Sequence, residues 1–127
     1  MKRKFSIVFS VLFIGLFAMT AWAASSKNAV MSSSTYVANA ELVRNLSSGV
    51  VTASTAIVKG DMITSVLMWV NDKTYGTVTR NPTQARNYVQ ASYSPPYAVE
   101  DTIGAGSGHG VYTLEGISCA YTKLSIP

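Results

Sequence analysis

The chain has 127 residues, with ten Lys and Arg against six Asp and Glu, a formal net charge of +4, one His and one Cys. A single cysteine excludes an internal disulfide framework, and a single histidine among scattered acids excludes the paired-ligand spacings of a zinc site. The positive charge is no nucleic-acid footprint: three of the ten basic residues lie in the first four positions, and the rest are scattered singly.

Lys2, Arg3 and Lys4 precede an apolar stretch from Phe5 to Ala18, and Ala21-Trp22-Ala23 then offers small residues at the two positions a signal peptidase reads. Residues 1–23 therefore read as a cleaved signal peptide. The product is expected to be secreted, either extracellular or periplasmic at the cell envelope. No lipoprotein cysteine follows the cut, since Ala24 stands there. Removal of the signal leaves 104 residues, seven basic and six acidic, near +1. All four Phe and Trp22 leave with it, so the remaining aromatic set is seven Tyr and Trp69. No second apolar span follows, and the mature chain is expected to have no transmembrane segment.

Residues 24–33 are small and polar and read as a flexible N-terminal arm. From 34 to 127 the dominant period is two, which is the strand period. Thr35–Arg44 alternates, with Tyr36, Ala38, Ala40 and Leu42 pointing one way. Asn45-Leu46-Ser47-Ser48-Gly49 reads as a turn and also fits a glycosylation sequon, which matters only in a eukaryotic secretory pathway. Val50–Val58 is rich in β-branched residues, with Val51, Ala53, Thr55 and Ile57 on one face. Lys59-Gly60-Asp61 is short and glycine-bearing, which predicts a hairpin into Met62–Val70.

That strand carries Ile63, Ser65, Leu67 and Trp69 on one side and Met62, Thr64, Val66, Met68 and Val70 on the other. Its apolar run Val66–Val70 predicts a central strand buried on both faces, with Trp69 in the core. The alternatives are a self-association surface through strand 62–70 or a surface that meets a membrane. Asn71-Asp72-Lys73 turns into Thr74–Arg80, and Asn81-Pro82 breaks the pairing because Pro lacks the ladder donor. Thr83–Arg86 suggests one helical turn. Tyr88–Tyr93 is extended, and Ser94-Pro95-Pro96 marks a crossing between sheets. Tyr97–Ile103, a glycine-rich stretch, and Val111–Leu124 complete about seven strands. Short strands at this spacing, with no apolar helical face, predict an all-β fold: one small antiparallel β-sandwich over residues 34–127.

Gly104-Ala105-Gly106-Ser107-Gly108-His109-Gly110 is the densest local pattern. A dinucleotide fingerprint fails on spacing, because His109 occupies the third glycine position. The glycines alternate, so an extended strand here would have one bare face open to a neighbouring ring. A flexible loop and a ligand-contacting loop are the other readings. His109 is the lone partner for any nucleophile dyad. A Glu115-Gly116 hairpin would set Tyr112 opposite Cys119, Gly110 opposite Tyr121 and His109 opposite Thr122. Cys119 and His109 then lie on opposite faces and cannot meet. The same register lays the Tyr121 ring over Gly110 and places Cys119 with Tyr112 and Tyr121 on the expected core face, as a buried thiol. Gly106-Ser107-Gly108 falls short of the nucleophile elbow of serine hydrolases.

These patterns carry no catalytic, metal or cofactor constellation. The expected role is non-enzymatic, a binding or structural role outside the cell or at its envelope, with His109, Ser107 and Trp69 as candidate ligand or partner contacts. A hydrolase using His109 is a remote alternative. A third class is a secreted toxin acting on a target envelope. A signal peptide, a short β domain, few cysteines and many Ser, Thr, Tyr and Gly make the chain similar in general character to bacteriocins of the lactococcin 972 type. N-terminal sequencing of the exported product should begin at Ala24; a product that retains Met1 overturns the signal-peptide reading.

Overall fold

The computed structural model describes residues 24–95 and 102–127. The signal peptide and most of the expected strand Tyr97–Ile103 lie outside the described residues. Among the described residues nine strands follow in chain order: β1 (Ala24–Ser32), β2 (Val37–Asn45), β3 (Val51–Lys59), β4 (Ile63–Asp72), β5 (Gly76–Arg80), β6 (Ala85–Arg86), β7 (Tyr88–Tyr93), β8 (Thr102–Tyr112) and β9 (Ser118–Ile126). The first sheet runs β1-β2-β3-β7 and the second β5-β4-β8-β9, with β6 also pairing β4. Every pairing is antiparallel. The two sheets pack face to face as the small β-sandwich that the period of two predicts. None of the described residues forms a helix long and apolar enough to cross a membrane.

Alternation selects the core. The first sheet turns Ala38, Ala40 and Leu42 inward from β2, Val51, Ala53 and Thr55 from β3, and Val89, Ala91 and Tyr93 from β7. The second contributes Thr64, Val66, Met68, Val70 and Asp72 from β4, and Ala105, Ser107, His109 and Val111 from β8. Alanines dominate the first sheet where the second presents Met68, Val66 and the His109 ring, so small faces large across the interior.

Several local expectations fail for tertiary reasons. Residues 24–33 form no free arm: β1 pairs β2 from Ala24 opposite Asn45 to Ser32 opposite Val37. Met31 is 8 % exposed on its inner face, and β9 lies against β1 at the sandwich edge. Polar composition is tolerated there because an edge strand pairs on one side only. Lys59-Gly60-Asp61 closes no hairpin, because β3 and β4 belong to different sheets. It is a crossover, and Gly60, at φ +105°, passes so close to the Thr35 carbonyl that a Cβ would lie 2.7 Å away. Residues 83–86 hold the short strand β6 in place of a helical turn, and the Thr64 Oγ1 hydroxyl donates to the Ala85 carbonyl at 2.8 Å. Asn87, at φ 66°, then turns the chain back to the first sheet. Its Oδ1 accepts from the Met62 amide at 3.0 Å, and its carbonyl accepts from the Ile57 amide at 2.8 Å.

Trp69 is the main correction. It sits on the outer face of β4 with Ile63, Ser65 and Leu67, half-buried and outside both core clusters. Its strand does have apolar residues on both sides, but one side alone faces the other sheet. β4 is also an interior strand, flanked by β8 on one side and by β5 and β6 on the other. Edge pairing through its flanked backbone is therefore closed, and Ile63, Leu67 and Trp69 are the apolar groups that segment 62–70 turns outward.

This division of β4 is measurable. Leu42→Ala or Met68→Ala should each cost about 2–5 kcal/mol, as fully buried side chains do. Trp69→Ala should cost less, about 1–2 kcal/mol, because the ring is only partly withdrawn from water. Urea unfolding of the three variants ranks them; an equal or larger loss for Trp69→Ala would move the main packing anchor to the outer face.

Candidate functional site

Gly104–Gly110 is neither kind of loop. It lies in β8, the second sheet's inner strand between β4 and β9. The odd–even division of this segment creates two different environments on its two faces.

The inner face carries the chain's one histidine. His109 and Ser107 are both 0 % exposed, as is Thr55 on β3 of the facing sheet. The Thr55 hydroxyl donates to the Ser65 carbonyl at 2.8 Å. Having one hydrogen, it must accept at its second contact, His109 Nδ1 at 2.9 Å. Nδ1 therefore carries the ring hydrogen. Nε2 is left as an acceptor, and the Ser107 hydroxyl donates to it at 2.6 Å. Burial pushes the His109 pKa down to about 4, against a smaller upward pull from the Ser54 backbone. The ring is thus neutral at physiological pH, and both of its nitrogens are satisfied.

Ser107 and His109 have the hydroxyl-to-imidazole contact of a nucleophile and its general base. Sequence spacing alone does not reveal this pair, although residues two apart on a strand share a face. The pair is sealed between the sheets, facing Val66 and Met68 across the β8–β4 register. Neither residue reaches the surface, so the expectation that they contact a ligand or partner directly is corrected: His109 bonds Thr55 of the opposing sheet, and Ser107 bonds His109. Cys119 does not join them, as the opposite-face reading anticipates.

A second polar link joins the sheets at another end of β4. Tyr93 Oη donates to Asp72 Oδ2 at 2.5 Å. Asp72 Oδ1 accepts from the Thr74 and Tyr75 amides at 2.7 and 3.0 Å, closing the β4–β5 turn. The hydrogen bond from Tyr93 holds the Asp72 carboxyl below its ordinary range, and the same bond pushes the Tyr93 phenol up to about 12. The Arg80 guanidinium lies 5.2 Å from the Tyr93 ring centre.

The outer face of β8 is bare backbone, and neighbouring side chains lie across it. A Cβ at Gly106 would overlap the Trp69 indole, and one at Gly108 would overlap the Tyr121 hydroxyl. At Gly110 it would meet Ser65 Oγ at 2.5 Å and the Tyr112 ring at 2.9 Å. Tyr121 pairs with Gly110 as expected, but its hydroxyl end leans over Gly108. The β8–β9 hairpin departs from the expected two-residue loop. Thr113 and Ile117 pair around Leu114-Glu115-Gly116, with Gly116 at φ 92°. Tyr112 therefore faces Ser118, and a bulge at Cys119 restores the expected register at Val111 opposite Ala120. Cys119 is exposed and not buried. The face assigned to the core is the outer one, where the glycines lie.

No protein-family model, curated protein or solved structure matches this chain.

The sealed histidine predicts acid sensitivity of a definite sign. Its folded pKa, about 4, lies below the unfolded value of 6.5, so the unfolded chain binds the extra proton. The stability this group contributes is complete above pH 6.5 and is lost as pH falls toward 4. The loss amounts to about 3 kcal/mol by linkage. Urea midpoints measured from pH 7 to pH 4 should show the decline. His109→Leu should flatten that portion of the profile, while the fall caused by Asp61 and Asp72 at lower pH persists.

Proposed function

We propose that this chain is a secreted, non-enzymatic β-sandwich that acts by binding outside the cytoplasm, and that its contact surface is the outer face of the second sheet. The observation that carries the reading is the placement of Trp69 and Tyr121 across the side-chain-free face of β8, against Gly106 and Gly108. The indole is half-buried and Tyr121 is 53 % exposed, so both rings present area outward. Glycine beneath a ring removes the side chain that would prop it up. The result is a flat platform of rings with Leu67 and Ile63 beside them and Lys123 and Ser125 on the neighbouring strand. Such a surface fits pyranose rings, whose C–H faces stack on aromatics and whose hydroxyls find the polar rim. An envelope glycan is the partner class this chemistry favours.

The sealed Ser107–His109 pair supports a non-enzymatic role, because a hydrolase would need that pair open to substrate. Secretion rests on the basic start, apolar stretch and Ala21-Trp22-Ala23 of the N-terminus.

Retention on insoluble glycans (peptidoglycan, chitin, cellulose) tests the reading, with Trp69 fluorescence as a second readout. Wild-type protein should be retained on at least one of them with a change in Trp69 emission. Trp69→Ala and Tyr121→Ala should each lower retention at least tenfold while melting cooperatively. Gly106→Val, which forces the indole off β8, should weaken retention and red-shift the emission. Retention indifferent to all three changes, or absent throughout, overturns the proposed surface.

A further inference from the structure

The outer face of the first sheet has a different chemistry. Because Ala38, Ala40 and Leu42 of β2 point into the core, Asn39, Glu41 and Val43 point out. The register aligns Asn28, Glu41, Ser54 and Gln90 in one row across β1, β2, β3 and β7. The adjoining row is Val30, Asn39, Ala56 and Tyr88. Two groups here are in an unusual state for the surface of a sandwich. Glu41 is only 8 % exposed, yet no cation pairs with it among the described residues, where Arg86 with Asp61 forms the ion pair. Asn39 Oδ1 is buried with no hydrogen-bond partner.

Charged side chains are rarely so buried without a partner, and an orphaned buried acceptor is costly because its lost water is not replaced. Desolvation holds the Glu41 carboxyl above its ordinary range, and burial, followed by the charge on Glu41, raises the Tyr88 phenol. By register the nearest basic residue on this face is Lys59, opposite Val37 and beyond the Asn39 row. Tyr88 is 50 % exposed, and its hydroxyl donates to Gln90 Oε1, which holds the ring beside the Glu41 row. The cluster is rich in acceptors, carries one negative charge, and has an aromatic ring at its border.

We infer that Glu41, Asn39 and Tyr88 form a binding site for an organic ammonium group. An ammonium has three donors and no acceptor, which matches a carboxylate and an orphaned amide oxygen. The Tyr88 ring can face the remaining part of the cation. The compact ammonium suits a carboxylate that is nearly covered, whereas a planar guanidinium needs bidentate access to both oxygens. A metal ion is a poorer match, since no three His, Cys, Asp or Glu cluster among the described residues and the site has one carboxylate. This site is separate from the ring platform on the opposite face and does not rest on it.

The test is an NMR titration of the folded protein at pH 7 with 1,4-diaminobutane and with a blocked lysine-containing tripeptide. 1-Butanol serves as the uncharged control. The expected result is saturable shifts of the amides of Asn39, Glu41 and Tyr88 with at least one ammonium probe and none with butanol. The probe that saturates at lower concentration identifies the source as a free amine or a lysine side chain. Glu41→Gln should weaken binding at least tenfold and Tyr88→Ala severalfold. Glu41→Gln should leave the melting temperature unchanged or higher, because it removes an unpaired buried charge. A melting temperature that drops on Glu41→Gln would reveal an internal partner and overturn the inference. Unchanged affinity in that variant, or no saturable shift with either ammonium, would do so too.

Discussion

One buried hydroxyl ties the two sheets together. Thr55 projects from the first sheet, donates to a carbonyl of β4 and accepts from a ring on β8, so a single side chain bonds two strands of the opposite sheet. Dispersion and burial hold the rest of the interface, but they are non-directional and allow one sheet to slide over the other. The Thr55–His109–Ser107 chain permits one alignment, because any slip would leave three buried polar groups without partners. Tyr93 and Asp72 repeat the device elsewhere along β4. Together they give an interior made largely of alanine and valine a specific register.

The same histidine explains the unusual outer face of its strand. β8 must place Ser107 and His109 inward at alternate positions. The intervening residues are then all on the outside, and all are glycine from 104 to 110. Ordinary side chains there would hold Trp69 and Tyr121 away from the sheet. Glycine lets them lie down and cover an inner strand that would otherwise present bare backbone to water. The strand is therefore polar and sealed on one side and laminated by rings on the other.

The two outer faces of the sandwich consequently differ in kind. The second sheet presents aromatic area over backbone. The first presents, on adjoining rows, a largely buried carboxylate and an amide oxygen that has no hydrogen-bond partner. Between them, Ser107 and His109 are fully buried and take no part in either outer face. The exposed Arg86–Asp61 pair adds little to stability at its high exposure, but it sits beside the crossover from β3 to β4 and the short strand β6.

The all-β class, the inward sets of β2 and β3, the turn at Asn45–Gly49 and the separation of Cys119 from His109 were legible in the sequence, because a period of two assigns faces without knowledge of neighbours. Which face is the core is a different matter. Both faces of β4 are apolar, and both faces of the β8–β9 hairpin carry candidates, so pattern alone sent Trp69, Tyr121 and Cys119 inward. Only the docking of the sheets decides, and it chose the face that holds Val66, Met68 and His109. Pairing partners are likewise a tertiary property: Lys59-Gly60-Asp61 has hairpin chemistry, yet the strands it joins enter different sheets. Residues 24–33 look like an arm because an edge strand supported on one side needs little apolar content. The Thr55–His109 contact spans 54 residues, and the Asn39–Glu41–Tyr88 cluster draws on β2 and β7 through a shared neighbour. Local sequence determines what each residue can bond to, whereas strand order and register determine what it meets.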